Sequence, residues 1–288
     1  DQLLRAPDTC GMRAEVRLKR GGDEWAFIVN PAAGNGFGRI FSDEMRAVLD
    51  GRSVRYLMEF TSGRGHATEI ARLFLKKGYR RIVAVGGDGT ASEVAQCLVG
   101  AKNVLFGAIP AGSGNDFTAM LGFPERFTGK EWDIFLSGRA AMLDAGRCND
   151  RYFVNGMGLG FDAQVARENY SNDNRVLDMT GRKSRYIWHI VKTIITYREI
   201  PATMTCDGRT LERKAFLNTI AIGRRLAGGF YLTPLAFADD GLFDVCIADN
   251  MSLVKRVRGL VAVIRGKHTN NPMFSCFNAK KLSFDFGR

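Results

Sequence analysis

The chain has 288 residues, of which 45% are hydrophobic and 25% are charged, a size that corresponds to one large domain or two modest ones. Its formal net charge of +11 favours an anionic partner, such as a phosphorylated substrate, a nucleic acid or an acidic membrane surface. No apolar run reaches the roughly 18 residues that a membrane-spanning helix needs, so none is predicted.

The first half of the chain alternates strand-like and helix-like segments. Residues 1–24 are polar and aperiodic and are predicted to be a lead-in. Four short apolar runs that stop at turn residues are predicted as strands. These strands are Trp25–Val29, Val54–Phe60, Ile82–Val85 and Val104–Ile109. With helical patterns such as residues 66–77 between them, they predict a parallel α/β domain over 25–141 whose ligand lies at the carboxyl ends of the strands.

The pattern changes after residue 141. Strand-like runs follow one another without regular helices between them, and Asp207-Gly208 is typical of a two-residue hairpin turn. Helical patterns interrupt these runs over about 182–198 and about 252–264. Residues 142–288 are therefore predicted to form a mostly antiparallel β domain.

The turn Gly86-Gly87-Asp88-Gly89-Thr90 directly follows a buried strand. Its glycines allow close approach of a ligand, and a helix that starts here points backbone N–H groups at an anion. A carboxylate at Asp88, beside phosphates, would hold a metal ion or accept a proton. Thr90 and Glu93 also fit a T-x-x-E capping box. The alternative is a tight strand-to-helix turn in which Asp88 is an accessory cap.

A second glycine-rich turn, Pro110-Ala111-Gly112-Ser113-Gly114-Asn115-Asp116-Phe117, also follows a strand and precedes a helix. Its glycines expose the backbone, and Ser113 offers a hydroxyl to a phosphate. The alternative is an ordinary loop in which Asn115 or Asp116 caps the next helix. Two such turns at one edge of a sheet favour a phosphate-binding crevice.

Together, the two turns resemble the catalytic domain of the diacylglycerol kinase family, which includes sphingosine and ceramide kinases and bacterial lipid kinases. Four further segments occur in the family order: Val29–Gly34, Thr61 with Gly65-His66-Ala67, Asn155–Asp162 and Asp239–Val245. The resemblance covers residues 25–286. It implies a Rossmann-like parallel α/β sheet of the NAD kinase and diacylglycerol kinase type, followed by a C-terminal antiparallel β-sandwich.

The resemblance also implies the activity and the site. The expected reaction is transfer of the γ-phosphate of ATP, with Mg²⁺, to the hydroxyl of diacylglycerol or a similar lipid. The positions that match the ATP-binding residues of the family are Asn30, Pro31, Ala32, Ala33, Gly34, Thr61, Gly87, Asp88, Gly89, Thr90, Ala91, Ser92, Glu93 and Ser113.

A separate Mg²⁺ site is implied by the bacterial branch of the family. It corresponds to Asp240 with the backbone carbonyls of Phe237 and Leu242, and a carboxylate with carbonyl oxygens is a suitable ligand set for a hard cation. Without the resemblance, residues 239–241 are equally well interpreted as a plain β-turn.

The proton acceptor is the point at which the sequence departs from the family. Family chains continue into an Asp-Gly-Glu segment whose glutamate is often assigned this role, whereas the present sequence ends at Arg288. We therefore expect either a chain truncated at its C-terminus or a base supplied from elsewhere. Asp88 is the candidate catalytic residue that remains.

Three alternatives stay open from the sequence. The spacing Gly34-x-Gly36-x-Gly38 approaches a dinucleotide fingerprint, but Pro31 interrupts it and the glycine spacing is wrong. NAD kinase and phosphofructokinase share the Gly-Gly-Asp-Gly type of turn, although the 110–117 turn resembles only the lipid branch. A catalytically silent lipid-binding homologue is favoured only by the absent Asp-Gly-Glu segment.

The remaining residue patterns concern metals and partners. Six cysteines occur singly, without a C-x-x-C pair, and three histidines are far apart, so no zinc site is predicted. Basic residues accompany the two later helices and face either anionic lipid or only solvent. We expect ATP, a lipid substrate and an anionic membrane surface as partners, no nucleic acid, and a cytoplasmic, peripherally membrane-associated protein. The sequence predicts no oligomeric state.

Overall fold

The computed structural model describes residues 2–5, 24–170 and 182–287. The chain divides into two compact units. The α/β unit contains the described residues of Gly11–Leu143 together with Tyr152–Val154. The β-rich unit contains those of Asp1–Cys10, Asp144–Arg151 and Asn155–Arg288, and its first strand is β1 (Gln2–Arg5).

The α/β unit is built on a four-stranded parallel sheet with the order β3-β2-β4-β5. Its strands are β2 (Trp25–Val29), β3 (Tyr56–Phe60), β4 (Arg81–Gly86) and β5 (Leu105–Pro110). Its helices are α1 (Phe37–Gly51), α2 (His66–Lys76), α3 (Asp88–Leu98), α4 (Asp116–Met120) and α5 (Gly129–Leu136).

The two faces of this sheet carry separate cores. Every residue of the central strand β2 is buried, and alternate residues point to opposite faces. Phe27 packs with buried residues of α1 and α5, including Met45 and Trp132. Ile28 packs with buried residues of α2 and α3, including Phe74 and Val94. Because both faces are covered, the strands are continuous apolar runs.

The β-rich unit contains two antiparallel sheets. The first has the order β10-β9-β14-β1-β6-β7, and part of its last strand belongs to the α/β unit. The second has the order β13-β12-β11-β8. Its strands after β1 are β6 (Gly146–Cys148), β7 (Arg151–Phe153, shared with the α/β unit), β8 (Gly156–Gly160), β9 (Ala202–Cys206), β10 (Arg209–Arg213), β11 (Ala215–Ala221), β12 (Phe243–Asp249), β13 (Phe274–Ala279) and β14 (Lys281–Asp285). Its helices are α6 (Phe161–Tyr170), α7 (Arg182–Thr196) and α8 (Leu253–Ile264).

The predicted fold class, a parallel α/β sheet followed by antiparallel sheets, is confirmed. The hairpin at Asp207-Gly208 is also confirmed, since both residues have the positive φ angles, 45° and 86°, that a primed turn requires. Within the segment predicted to be a lead-in, residues 2–5 form β1, which pairs with β14 and β6. Among the described residues, no helix combines the length and the hydropathy that crossing a bilayer requires.

Candidate active site

Four segments of the α/β unit meet at the carboxyl edge of its parallel sheet. Asn30 follows β2, Thr61 follows β3, residues 86–90 end β4 and begin α3, and residues 110–116 end β5 and begin α4. The neighbouring strand ends are joined by backbone hydrogen bonds, such as Thr61 N to the Val29 carbonyl at 2.9 Å. The predicted nucleotide-binding residues are thus brought together along one edge.

The two glycine-rich turns touch each other through their backbones. Ala111 N donates to the carbonyl of Gly86 at 2.9 Å. A Cβ on Gly112 would lie 2.4 Å from the Cα of Gly87, closer than any side chain tolerates. Similarly, a Cβ on Gly34 would lie 2.5 Å from the Ala111 carbonyl oxygen. These glycines are needed because three loop backbones approach one another at one point.

Asn30 connects the first loop to the helix that follows the 86–90 turn. Its Nδ2 donates to Thr90 Oγ1 at 3.1 Å, and its Oδ1 accepts from Ala32 N at 3.1 Å. Its own carbonyl accepts from Ala33 N at 3.1 Å, which closes the turn that contains Pro31. The segment from Asn30 to Gly34 is therefore held in a fixed shape beside the start of α3.

The 110–116 turn is closed by the side chain of Asn115, which is buried. Its Oδ1 accepts from Gly112 N and its Nδ2 donates to the Gly112 carbonyl, both at 2.9 Å. Asn115 thus closes the loop that precedes α4 instead of capping that helix with its side chain. Ser113 lies at the exposed tip of the loop, where its hydroxyl is accessible to a ligand.

Asp88 is the first residue of α3, and its carboxylate reaches the neighbouring turn. Oδ1 accepts a hydrogen bond from Phe117 N at 2.8 Å, at the start of α4. Asp88 is half-buried, and its contact with Phe117 links the two turns a second time. The structure therefore gives Asp88 a structural contact with the start of α4, and this contact fixes the position of its carboxylate.

The capping box expected for Thr90 and Glu93 is not formed. The helix begins two residues earlier, at Asp88. Its N-cap residue is Gly87, which has no side chain that could cap the helix. The carboxylate of Glu93 instead accepts from Gly65 N at 2.9 Å, before α2. Glu93 therefore connects α3 to the loop after β3, on the side where Thr61 lies.

A second group of predicted residues lies in the β-rich unit, in the loop before β12. Oδ1 of Asp240 accepts from Leu242 N at 2.9 Å, and Phe237 is exposed three residues earlier. Asp144 accepts from Gly241 N through its Oδ2 at 2.7 Å. The carboxylates of Asp144 and Asp240 thus hold the same turn from two sides.

Two carboxyl groups near this turn, those of Asp144 and Asp244, lie where their charged form is disfavoured. Burial, and then the charge of Asp240, raise the pKa of Asp244 to about 6. Burial likewise raises the pKa of Asp144. Among the described residues, Oδ2 of Asp244 is buried without a hydrogen-bond partner. A hard cation fits these residues, because it binds oxygen ligands and neutralises mutually repelling carboxylates.

The β-rich unit also contains an apolar cavity that the sequence did not predict. It measures about 70 Å³ and is lined almost entirely by carbon atoms. The lining residues come from α6, α7, β11, β12, α8, β13 and neighbouring loops, and they include Phe161, Val165, Ile190, Phe216, Leu260 and Phe274. Interchangeable apolar residues of this kind give no spacing signal in a sequence.

Asp162 is the acidic group of this cavity. Its Oδ2 accepts from Thr219 Oγ1 at 3.0 Å, and its Oδ1 accepts from Ala163 N at 3.0 Å. Burial raises the pKa of Asp162 to about 7. A carboxyl group that lines an apolar cavity and has a pKa raised by burial is a candidate functional group. The sequence contained Asp162 within a family segment but offered no reason to assign it a role.

The comparisons with known proteins agree with this architecture. The model of the diacylglycerol kinase catalytic domain matches residues 24–148. The model of the YegS C-terminal NAD kinase beta sandwich-like domain matches residues 155–288. This pair of domains defines the class of protein: the chain is a kinase, a phosphotransferase.

The chain belongs to the diacylglycerol kinase catalytic-domain family, in its bacterial branch, and is at that level a lipid kinase. It is 27% identical to a diacylglycerol kinase of Bacillus subtilis (strain 168) over 85% of this chain and 80% of the relative. It is 28% identical to a diacylglycerol kinase of Staphylococcus aureus (strain JH9) over 76% of this chain and 68% of the relative.

A solved structure shares the fold. The crystal structure of a diacylglycerol kinase from Bacillus anthracis str. Sterne superposes with a TM-score of 0.74 at 23% sequence identity, over 94% of this chain and 88% of that one.

Proposed function

We propose that the protein transfers the γ-phosphate of ATP, accompanied by Mg²⁺, to the hydroxyl of diacylglycerol or a similar lipid. The observation that carries this proposal is the backbone contact between the turns at Gly87 and Gly112. It joins two strand-to-helix turns into one glycine-lined crevice at the carboxyl edge of a parallel sheet, which is where such sheets bind nucleotides.

The nucleotide would be held mainly by backbone groups. The α3 helix has its N-terminus at Asp88, and a helix N-terminus favours phosphate through its N–H groups and its dipole. The exposed hydroxyl of Ser113 would reach a phosphate from the other turn. Mg²⁺ bound with ATP would neutralise the phosphate charge.

Asp88 is the proposed proton acceptor for the lipid hydroxyl. The hydrogen bond from Phe117 N at 2.8 Å to Oδ1 fixes the carboxylate in orientation. Phosphoryl transfer depends on positioning more than on covalent chemistry, so a carboxylate held in place is a suitable base.

We propose a second Mg²⁺ at Asp240 with the carbonyl oxygens of Phe237 and Leu242. The unpartnered Oδ2 of Asp244 and the raised pKa values of Asp144 and Asp244 support a cation at this turn. This ion would stabilise the loop before β12, and it is distinct from the ion that accompanies ATP.

The apolar cavity of the β-rich unit is the proposed receptor for an acyl chain. Its lining is almost wholly apolar, which suits a hydrocarbon. At about 70 Å³ it admits only part of a chain, so we expect α7 and α8 to shift when lipid binds. Asp162, with its raised pKa, would face the polar end of the lipid.

Peripheral contact with a membrane is supported by exposed apolar side chains at helical spacing. On α8 they are Val254, Val257, Val261 and Ile264, and on α7 they are Trp188, Val191 and Ile195. Each set occupies one face of its helix, and basic residues such as Lys255 and Arg258 adjoin it. An exposed apolar face bordered by cations is typical of helices that lie on anionic membranes.

The direct test is transfer of radiolabelled phosphate from ATP in mixed micelles. Diacylglycerol, sphingosine, ceramide and phosphatidylglycerol are offered separately, with NAD as a water-soluble acceptor. We expect labelled lipid with at least one lipid and none with NAD. If the full-length protein labels no lipid, the proposed lipid kinase activity is wrong.

A further inference from the structure

Two cysteines and a histidine come together in the β-rich unit. Cys246 in β12 lies directly opposite Cys276 in β13, with their sulfur atoms 3.8 Å apart. A ring nitrogen of His268, in the loop between α8 and β13, lies within 4.8 Å of both sulfurs. We call these three residues the thiol–imidazole cluster.

One ring nitrogen of His268 is held by a backbone carbonyl, which leaves the other ring nitrogen available to an ion. Its Nε2 is 2.9 Å from the Leu232 carbonyl oxygen, to which it donates. Its Nδ1 therefore carries the lone pair, and among the described residues this buried nitrogen has no hydrogen-bond partner. The ring is fully buried, so an unsatisfied Nδ1 is costly unless something binds it. Metal-binding histidines commonly donate their second nitrogen to a backbone carbonyl in this way.

The spacing of the sulfur atoms fits a tetrahedral ion. Two thiolates that are each about 2.3 Å from a tetrahedral Zn²⁺ are about 3.8 Å apart, and the observed separation is 3.8 Å. Cys246 is buried, whereas Cys276 lies on the edge strand and is exposed. An ion can therefore enter from the Cys276 side, where a water molecule would complete the coordination.

We propose that the thiol–imidazole cluster binds one thiophilic metal ion, with Zn²⁺ as the best fit. Thiolate and imidazole ligands favour Zn²⁺ or Cu(I) over Mg²⁺ and Ca²⁺, which take oxygen ligands. Binding releases the thiol protons to solvent and requires no oxidant or reductant. The site differs in position and ligand chemistry from the carboxylate turn at Asp240.

The bound ion would connect three separate parts of the β-rich unit. Cys246 and Cys276 belong to neighbouring strands, and His268 belongs to the connection that follows α8. Through the Leu232 carbonyl, His268 also holds the loop that continues to β12. The expected role is therefore structural. The proposal does not depend on the kinase reaction.

The test is titration of the full chain, reduced and stripped of metal with a chelator, with Zn²⁺ in competition with a chromogenic chelator. We expect one Zn²⁺ per chain and a melting temperature raised by several degrees at saturating Zn²⁺. Mg²⁺ should compete poorly. Replacing Zn²⁺ with Co²⁺ should give thiolate-to-metal charge-transfer absorption and the visible bands of tetrahedral cobalt.

Matched serine substitutions locate the ion. Cys276→Ser removes one exposed ligand and should weaken Zn²⁺ binding by more than the ~10–100-fold that loss of an outer-shell partner costs. Cys206→Ser changes a half-buried cysteine of the same unit, in β9, and should bind Zn²⁺ like the original chain. The activity assay is not needed, so failure of the kinase proposal leaves this test unaffected.

Three results would overturn the proposal. The first is no Zn²⁺ binding, or no thiolate bands with Co²⁺, by the reduced unmodified chain, a measurement that needs no variant to fold. The second is equal Zn²⁺ affinity in Cys276→Ser and Cys206→Ser. The third is a Cys246–Cys276 disulfide that persists when the protein is purified with Zn²⁺ present, detected as a loss of two hydrogen masses.

Discussion

At the scale of single residues, Asp88 combines a structural contact with the proposed catalytic role. Its carboxylate accepts from Phe117 N. Loss of activity in a variant can therefore result from loss of this contact or from loss of the proton acceptor. Asn and Ala substitutions distinguish them, because the amide oxygen of Asn can still accept this hydrogen bond whereas Ala cannot.

We expect Asp88→Asn to keep its melting temperature and to lower kcat by at least about 100-fold, since it cannot accept a proton. Asp88→Ala should lose activity and also about 1 kcal/mol of stability, because the Phe117 N–H loses its acceptor. Thermal melts and the phosphate-transfer assay are run on both. Near-normal turnover by Asp88→Asn would exclude Asp88 as the base.

Asp162 gives a prediction about pH. Its pKa is raised to about 7 in the folded protein, above the ordinary aspartate value. Between about pH 4 and pH 7 the folded state therefore binds more protons than the unfolded state. The stability from this group is complete at low pH and is lost as the pH rises through 7.

Asp162→Asn should abolish this loss. Relative to the original chain, the variant should gain up to about 1.4 kcal/mol of unfolding free energy per pH unit between pH 5 and pH 7, and little more between pH 7 and pH 8. Urea denaturation at pH 5, 6, 7 and 8 measures this difference. Asp43→Asn, at an exposed position of α1, is the control and should keep the original pH dependence. An unchanged slope in Asp162→Asn would contradict the raised pKa.

At the scale of elements, the contact between the two glycine turns organises the crevice. A Cβ on Gly112 would meet the Cα and N of Gly87 at 2.4 and 2.9 Å, and both neighbours are backbone atoms. Backbone cannot rotate away as a side chain does, so the turns must separate.

Gly112→Ala is therefore expected to cost about 1–3 kcal/mol of stability and to raise the KM for ATP more than the KM for lipid. Gly51→Ala is the matched control, because it lies at the end of α1 with no atom within 4 Å of the added Cβ. Thermal melts and steady-state kinetics measure both effects. Equal behaviour of the two variants would show that the turns are not in tight contact.

The sequence predicted the elements that carry local signals and missed those that depend on distant partners. The strand-to-helix turns at 86–90 and 110–116 were predicted because glycines after an apolar run have a local meaning. The capping box at Glu93 was predicted wrongly, because Gly65 N from another element takes its carboxylate. The strand at residues 2–5 is defined by pairing with β14, which no local pattern reveals.

At the scale of the whole molecule, the same distinction applies to the candidate sites. The phosphate crevice is assembled from loops that follow successive strands, so a parallel topology already brings them to one edge. The apolar cavity and the thiol–imidazole cluster are assembled across antiparallel strands and helices of the β-rich unit. Cys246 and Cys276 are 30 positions apart, and only strand register makes them neighbours.

Membrane binding is a prediction about the surface of the whole molecule. The net charge of +11 attracts the chain to anionic lipid, and the apolar faces of α7 and α8 would then insert. We expect sedimentation with phosphatidylglycerol vesicles, less with phosphatidylcholine vesicles, and a decrease as NaCl screens the charges.

The double variant Val257→Asp with Val261→Asp should lose most vesicle binding, because both residues lie on the exposed face of α8 and charged side chains oppose insertion. Ile40→Asp is the control, because it introduces the same charge at a side chain of α1 that is 63% exposed. This variant should bind vesicles like the original chain. If the double variant sediments normally, or if Ile40→Asp is equally impaired, contact occurs elsewhere on the surface. Because α7 and α8 also line the apolar cavity, a loss confined to the α8 variant would connect membrane contact with lipid entry.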